Sequence, residues 1–178
     1  MLTQVPNAEK NAKKALLKMS YGLYIVTTRK DGSELTTRDQ DWISAGTVAW
    51  AMQTSFEPQM ITIAVQKDSD LNETIGRSGV FALNILGHDD RKLVDAFASD
   101  SDVDLSAQEI NGYSYDKGFA TESPVFHRTI GYVECEVATE CTTEGDHVLF
   151  VGKVVNAEVF RPQDQPLTEE NSGIQYGG

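Results

Sequence analysis

Hydrophobic positions recur along this chain with two periods, and the changes between them mark out its elements. From Asn7 to Met19, the residues Ala8, Ala12, Ala15, Leu16 and Met19 share one helical face among four lysines, which predicts an amphipathic surface helix. Leu23 to Thr28 is β-branched or aromatic and runs into Lys30-Asp31-Gly32, which predicts the first strand and turn of a hairpin. Trp42 to Gln53 carries a fainter strand pattern diluted by small and polar residues, whereas Met60 to Gln66, after Pro58, is an unbroken strand. Asp70 and Glu73 stand at N-cap and N3 spacing, so a short helix is expected from Leu71 to Arg77, stopping at Gly79 and followed by a strand over Val80 to Leu86. Leu93, Val94 and Phe97 share a face within His88 to Phe97, a second internal helix with Asp89 and Asp90 as candidate caps. Asp95, Asp100, Asp102, Asp104 and Glu109, with little apolar content between them, predict a solvated loop without the glycine and acid spacing of a calcium site. Val133, Cys135 and Val137 then alternate with Glu134 and Glu136, a loop containing Gly145 spans Thr142 to Asp146, and Val148 to Phe160 runs back. The expected element is a long antiparallel hairpin.

Six or seven strands joined mostly by short connections, two or three helices, no βαβ rhythm and no internal repeat point to a mainly β protein: a closed or nearly closed antiparallel barrel with peripheral helices. At 178 residues, 40% apolar and 24% charged, the chain has the size of one domain. Its net charge of −12, from 27 acidic against 15 basic residues, repels phosphate backbones and argues against a nucleic-acid partner. No apolar run approaches a bilayer span and the first thirty residues lack a signal-peptide pattern, so no membrane segment and a cytoplasmic location are expected. Cys135 and Cys141 lie on one predicted strand, about 20 Å apart at 3.3 Å per residue, beyond disulfide reach; two buried free thiols in a reducing compartment are expected.

The sequence contains no G-x-G-x-x-G, P-loop, G-x-S-x-G or H-E-x-x-H motif. His88, His127 and His147 are scattered, the cysteines lack zinc spacing, and no metal site is expected. A nicotinamide needs no domain of its own if it stacks on a bound cofactor. What remains is a constellation. Small residues at 45, 46, 47 and 49 leave room for something flat, with Trp50 as an aromatic wall, and the run continues through Gln53, Ser55 and Pro58. Lys67 and Ser69 stand at a predicted helix start suited to a phosphate. The residues alone read more readily as a small-residue barrel strand and an ordinary capped helix.

Taken in order, the segments Gly22 to Thr28 with Asp31-Gly32, Thr47 to Trp50 with Gln53 to Pro58, and Ile61 to Val65 with Lys67-Asp68-Ser69 resemble the flavin reductase-like, FMN-binding split-barrel (flavoredoxin-like) family. So do Ser78 to Leu86, Glu134 to Val137, Gly145-Asp146-His147 and Phe150 to Val154. The resemblance implies an antiparallel Greek-key split barrel, one domain over 1–178 with its core at about 15–160 and a C-terminal extension at 161–178. It implies a homodimer holding FMN, or else FAD, near the interface, and hydride transfer from NADH or NADPH to flavin. The alternatives within the resemblance are an FMN electron carrier serving a redox partner without nicotinamide turnover, and a non-catalytic flavin- or ligand-binding barrel. Carried over by position, Ser44, Thr47, Val48, Ala49, Trp50, Gln53 and Ser55 would line the flavin, Lys67 and Ser69 would serve its phosphate, and His147 would be the catalytic residue at the ring. The end of the chain from Asn171 to Gly178 would be placed to cover a partner's pocket. Family members often carry Asn at Ser44, Met at Gly46 and Thr at Leu71, and a basic residue where Asp100 to Asp104 is acidic. These departures imply a loosely held flavin used as a co-substrate.

Overall fold

The computed structural model describes residues 6–30 and 42–175, so the predicted Asp31-Gly32 turn and the last three residues lie outside the described part. Seven strands form the main sheet: β1 (Tyr24–Lys30), β2 (Trp42–Val48), β3 (Ala51–Phe56), β4 (Gln59–Gln66), β5 (Val80–Ile85), β11 (Gly131–Thr142) and β12 (His147–Val159). Their order is β2-β1-β5-β11-β12-β4-β3, and every neighbouring pair is antiparallel. The two edge strands, β2 and β3, are consecutive in sequence and joined by Ala49 and Trp50 alone. A sheet whose opposite edges are separated by so short a link must curl round on itself. The Ala64 amide donates to the Trp50 carbonyl at 2.9 Å, carrying the β3–β4 ladder one residue into this link. No ladder joins β2 to β3 among the described residues, so the barrel is split at this seam, as the resemblance implies.

The helices are α1 (Ala8–Leu16), α2 (Asp70–Ser78), α3 (Arg91–Ala96), entered through a 3-10 turn at His88–Asp90, and α4 (Glu169–Ser172). α1 is exposed throughout, as an amphipathic helix lying outside the core. α2 corrects the expected cap by one residue: Ser69, not Asp70, is the N-cap, because its hydroxyl reaches the Asn72 amide at 3.2 Å. The helix ends as predicted at Gly79, which takes the left-handed conformation with φ 69°. Asp90 makes no side-chain cap to α3. Its buried carboxylate instead accepts the Gly87 amide and pairs with Arg161.

Two large apolar clusters and a smaller one of Ala82, Val125 and Tyr132 fill the described part. Val26, Ile63, Ile75, Phe81 and Phe150 pack inside the barrel, while Leu23, Leu86, Leu93, Phe97 and Phe126 pack under α3. The stretch expected to be a solvated loop is partly docked: β6 (Val103–Asp104) pairs with β7 (Glu109–Ile110), which pairs with β8 (Tyr113–Ser114). The Ser101 hydroxyl accepts from the Ala45 amide and donates to the Ala45 carbonyl, fastening the segment to the free edge of β2. Two further short strands, β9 (Asp116–Lys117) and β10 (Pro124–Val125), pair with each other.

Both cysteines lie on β11 and are free, but only Cys135 is buried; Cys141 is exposed, which corrects the expectation of two buried thiols. The physical reason is that residues 138–142 of β11 run on as an exposed ribbon past the packed part of the sheet. Burial, aided by Glu134, pushes the Cys135 thiol up to about 12, so it is an inert packing group. The C-terminal extension is part of the fold. The Leu167 side chain is core, and its backbone exchanges hydrogen bonds with Leu23 and Leu86. No helix among the described residues is long and apolar enough to cross a membrane.

Candidate functional site

The small residues of β2 have a direct consequence for shape. Ser44, Ala45, Gly46 and Thr47 leave one wall of a cavity of about 450 Å³ without bulk, a size suited to a small organic ligand. A Cβ placed on Gly46 would come within 3.3 Å of Leu71 Cδ2, so a side chain there would narrow the space toward α2. The other walls come from the end of β4 at Ala64 to Gln66, the start of α2 at Asp68 to Leu71, and the segment from Val94 to Ser101. Thr47 stitches the first wall to the last: its hydroxyl donates to the Val94 carbonyl at 3.0 Å and its amide to the Phe97 carbonyl at 2.9 Å. Ile174 reaches the same cavity, so the described end of the chain lies over its own subunit's cavity.

At the start of α2, the Ser69 hydroxyl donates to the Gln66 carbonyl at 2.7 Å and accepts from Asn72. The amides of Asp70 and Leu71, in the first turn, have no acceptor within the helix. Four aspartates, Asp68, Asp70, Asp95 and Asp100, are among the lining residues, and no Lys, Arg or His is among those described.

Beside the cavity lies an aromatic pair. The rings of Trp50 and His147 are 4.7 Å apart at 45°, and Tyr21 stands 6.3 Å from Trp50 on another side. The backbone brings the pair to the cavity. Trp50 is bonded to Ala64, and His147 pairs in register with Gln66, both of which line it. His147 Nδ1 lies 2.7 Å from Asp146 Oδ1, while Nε2 is buried without a hydrogen-bond partner. The bond to His147 holds the exposed Asp146 carboxyl below the usual aspartate range. Since an ionised carboxylate only accepts, Nδ1 carries a proton toward Asp146, and in the neutral form of the ring the free lone pair is then on Nε2.

Of the residues singled out from the sequence, Ser44, Thr47, Val48 and Ser69 line the cavity, and Trp50 and His147 pair beside it. Ala49 is buried in the core beneath. Gln53 and Ser55 lie further along β3, where the Gln53 side chain donates to the Ser55 carbonyl; Gln53 lines a separate cavity at one end of the barrel. The Lys67 ammonium donates to the Thr143 carbonyl at 2.7 Å and its amide to the Asp146 carbonyl at 2.9 Å, so Lys67 clamps the β11–β12 loop to the end of β4. Sequence reasoning missed the cavity roles of Asp95 and Ser101, for which the local pattern holds no signal; Ile174 belongs to the segment expected over a partner's pocket and lines this cavity of its own chain. Asp146 was visible only as the neighbour of His147.

A split antiparallel barrel with an aromatic-edged cavity at its seam defines a class of small-ligand-binding β proteins. Within it, the chain belongs to the flavin reductase like domain family, whose model matches residues 16–178. It is 28% identical over 149 residues to a ferric-chelate reductase (NAD(P)H) of Archaeoglobus fulgidus, covering 83% of this chain and 80% of that protein. It is 31% identical over 152 residues to a putative diflavin flavoprotein A 2 of Synechocystis, covering 83% of this chain and 23% of that longer protein. In fold it matches the Streptomyces globisporus NADH:FAD oxidoreductase SgcE6 in complex with NAD and FAD fragments, with a TM-score of 0.71 at 20% identity over 94% of this chain and 92% of the other. It also matches flavin reductase HpaC complexed with NADP+, with a TM-score of 0.69 at 21% identity over 90% and 92% of the two chains.

The residues present fit one end of a flavin better than the other. The small-residue wall of β2, Trp50 and the unpartnered Nε2 of His147 suit a flat heteroaromatic ring with polar edges. The helix start offers two amides for a phosphate, the Ser69 proton being held by the Gln66 carbonyl, and sets them among aspartates.

Proposed function

We propose that the protein is an NAD(P)H:flavin oxidoreductase that takes flavin from solution and releases it again. The observation that carries this reading is the Trp50–His147 pair, with its unpartnered buried nitrogen, beside a cavity walled by small residues in a chain of this family. A bound flavin supplies the ring that accepts hydride from a reduced nicotinamide. Ser44, Gly46, Thr47 and Val48 leave the ring its space, and Trp50 covers it and excludes water. Asp146 orients the imidazole and keeps the Nδ1 proton, so that Nε2 meets the ligand as an acceptor. With no dinucleotide fingerprint in the sequence, the nicotinamide is held by stacking rather than by a domain of its own. The test is anaerobic mixing of protein and flavin with NADH and with NADPH, followed by flavin absorbance. Bleaching by at least one nucleotide is expected. Flavin that stays oxidised with both, yet is reduced by a ferredoxin-type donor, would make the protein an electron carrier instead.

The same reading includes a cytoplasmic homodimer of one such unit per chain. Met52, Phe56 and Val159 are exposed apolar side chains, and the barrel-end cavity of about 330 Å³ is lined by Tyr24, Met60, Ile61, Val133 and Val154. A second copy covering them would bury apolar surface, and an obligate pair buries about 2,000 Å² or more. Sedimentation of the flavin-bound protein should give twice the chain mass of 19.6 kDa. A monomer at micromolar concentration with flavin bound would overturn the dimer.

A further inference from the structure

We propose that this cavity selects flavins by the charge at the ribityl end, taking riboflavin, which is neutral there, in preference to FMN, whose monoester phosphate is a dianion. The inference rests on the flavin-binding reading and specifies the ligand of that same site. Its basis is the placement of four carboxylates. Asp68 and Asp70 flank the Ser69 cap, so the first-turn amides that would meet a phosphate stand beside two negative charges. Asp95 and Asp100 line the same cavity from the segment that Thr47 and Ser101 fasten to β2. None of the four is neutralised by an ion pair among the described residues. Lys67, the cation nearest in sequence, has its ammonium on Thr143.

Both flavins share the same ring and the same ribityl chain up to the last oxygen. The ratio of their affinities therefore isolates the phosphate. The carboxylates are exposed and screened, so each acts weakly, by roughly twofold in affinity, and the four together by about tenfold. Screening also fixes the sign of the salt effect: for a dianion approaching an acidic site, added salt tightens binding, the reverse of a phosphate held by lysine or arginine.

The experiment is fluorescence-quenching titration of the full chain with riboflavin and with FMN, at about 20 mM and about 500 mM salt, where screening lengths differ several-fold. Riboflavin is expected to bind about tenfold more tightly than FMN at low salt. The gap should narrow at high salt as FMN binding tightens. In the double variant Asp95→Asn, Asp100→Asn, the ratio of FMN to riboflavin dissociation constants should fall about threefold. FMN binding more tightly than riboflavin at low salt, or weakening as salt rises, would overturn the proposal by showing that a cation of the chain reads the phosphate. Binding of neither flavin would overturn the flavin-binding reading itself, and the charge selection with it, a result distinct from a reversed order.

Discussion

Replacing Glu134 with alanine should lower stability by about 3–5 kcal/mol, the cost of emptying a buried, fully bonded carboxylate position. Glu134 sits in the middle of β11, between β5 and β12, with no solvent exposure. Its oxygens accept from the Thr121 amide at 2.8 Å, the Thr121 hydroxyl and Asn156 Nδ2 at 2.7 Å each, and the Ala120 amide at 3.2 Å. Alanine would leave these donors unsatisfied and free the turn at Ala120 and Thr121, between β9 and β10, from β11. For a chain of this size the change corresponds to a fall in melting temperature of roughly 10 °C, and a shift under about 2 °C would refute the account. Acid gives a second readout. Burial opposes ionisation of Glu134, but the hydrogen bonds from Asn156, Thr121 and Ala120 outweigh it, so the carboxyl titrates below the usual glutamate range. Its contribution is therefore fully present above the unfolded value of about 4.3 and is lost as pH falls through the lower folded value. Glu134→Gln should show a shallower loss of stability below about pH 4 than the natural protein.

Glu134 also shows why some of this fold was legible and some was not. In β11 one face packs on Phe81 and Phe150 and the other is largely polar, so the alternation of Val133, Cys135 and Val137 with glutamates announces a strand and its pairing with β12. The same alternation hides the fact that Glu134 is buried, because its donors come from Thr121 and Asn156, distant in sequence. The region around β2 and β3 reads as one faint strand because small residues carry little period. Its break at Ala49 and Trp50 is imposed by the curl of the whole sheet. The two-residue strands between Val103 and Val125 are too short to have a period at all. In the site, Gly145-Asp146-His147 is visible in the sequence, as is Trp50, whereas the ring-to-ring approach depends on the register that sets His147 against Gln66. Lys67 shows the limit of proximity: two residues from the helix cap, its ammonium serves the neighbouring hairpin.

That hairpin carries the residue with the largest expected effect on rate. His147→Ala should slow flavin reduction about 100-fold at saturating flavin, the range for loss of a positioned acid–base or hydrogen-bonding group, while flavin affinity changes by no more than about threefold. The division follows from geometry. The His147 ring contributes little area beyond what Trp50 already covers, but its Nε2 is buried beside the cavity without a partner, so a ligand can satisfy it. A hydrogen bond at the reacting edge counts most where charge shifts during hydride transfer. Trp50→Ala should divide the other way: stacking is worth about 1–3 kcal/mol, so affinity should fall about tenfold for every flavin, riboflavin included, before the rate at saturation does. Asp146→Asn distinguishes orientation from mere packing. Its amide can donate to Nδ1 and so move the proton to Nε2, which reverses the hydrogen-bonding sense of the atom that meets the ligand. The rate should then fall about tenfold without loss of affinity, and Asp146→Glu, which keeps the acceptor, should recover part of it. Stopped-flow reduction at several flavin concentrations separates the two quantities. A His147→Ala protein that reduces saturating flavin within about threefold of the natural rate would remove His147 from the chemistry and leave the Trp50 wall as a binding feature only.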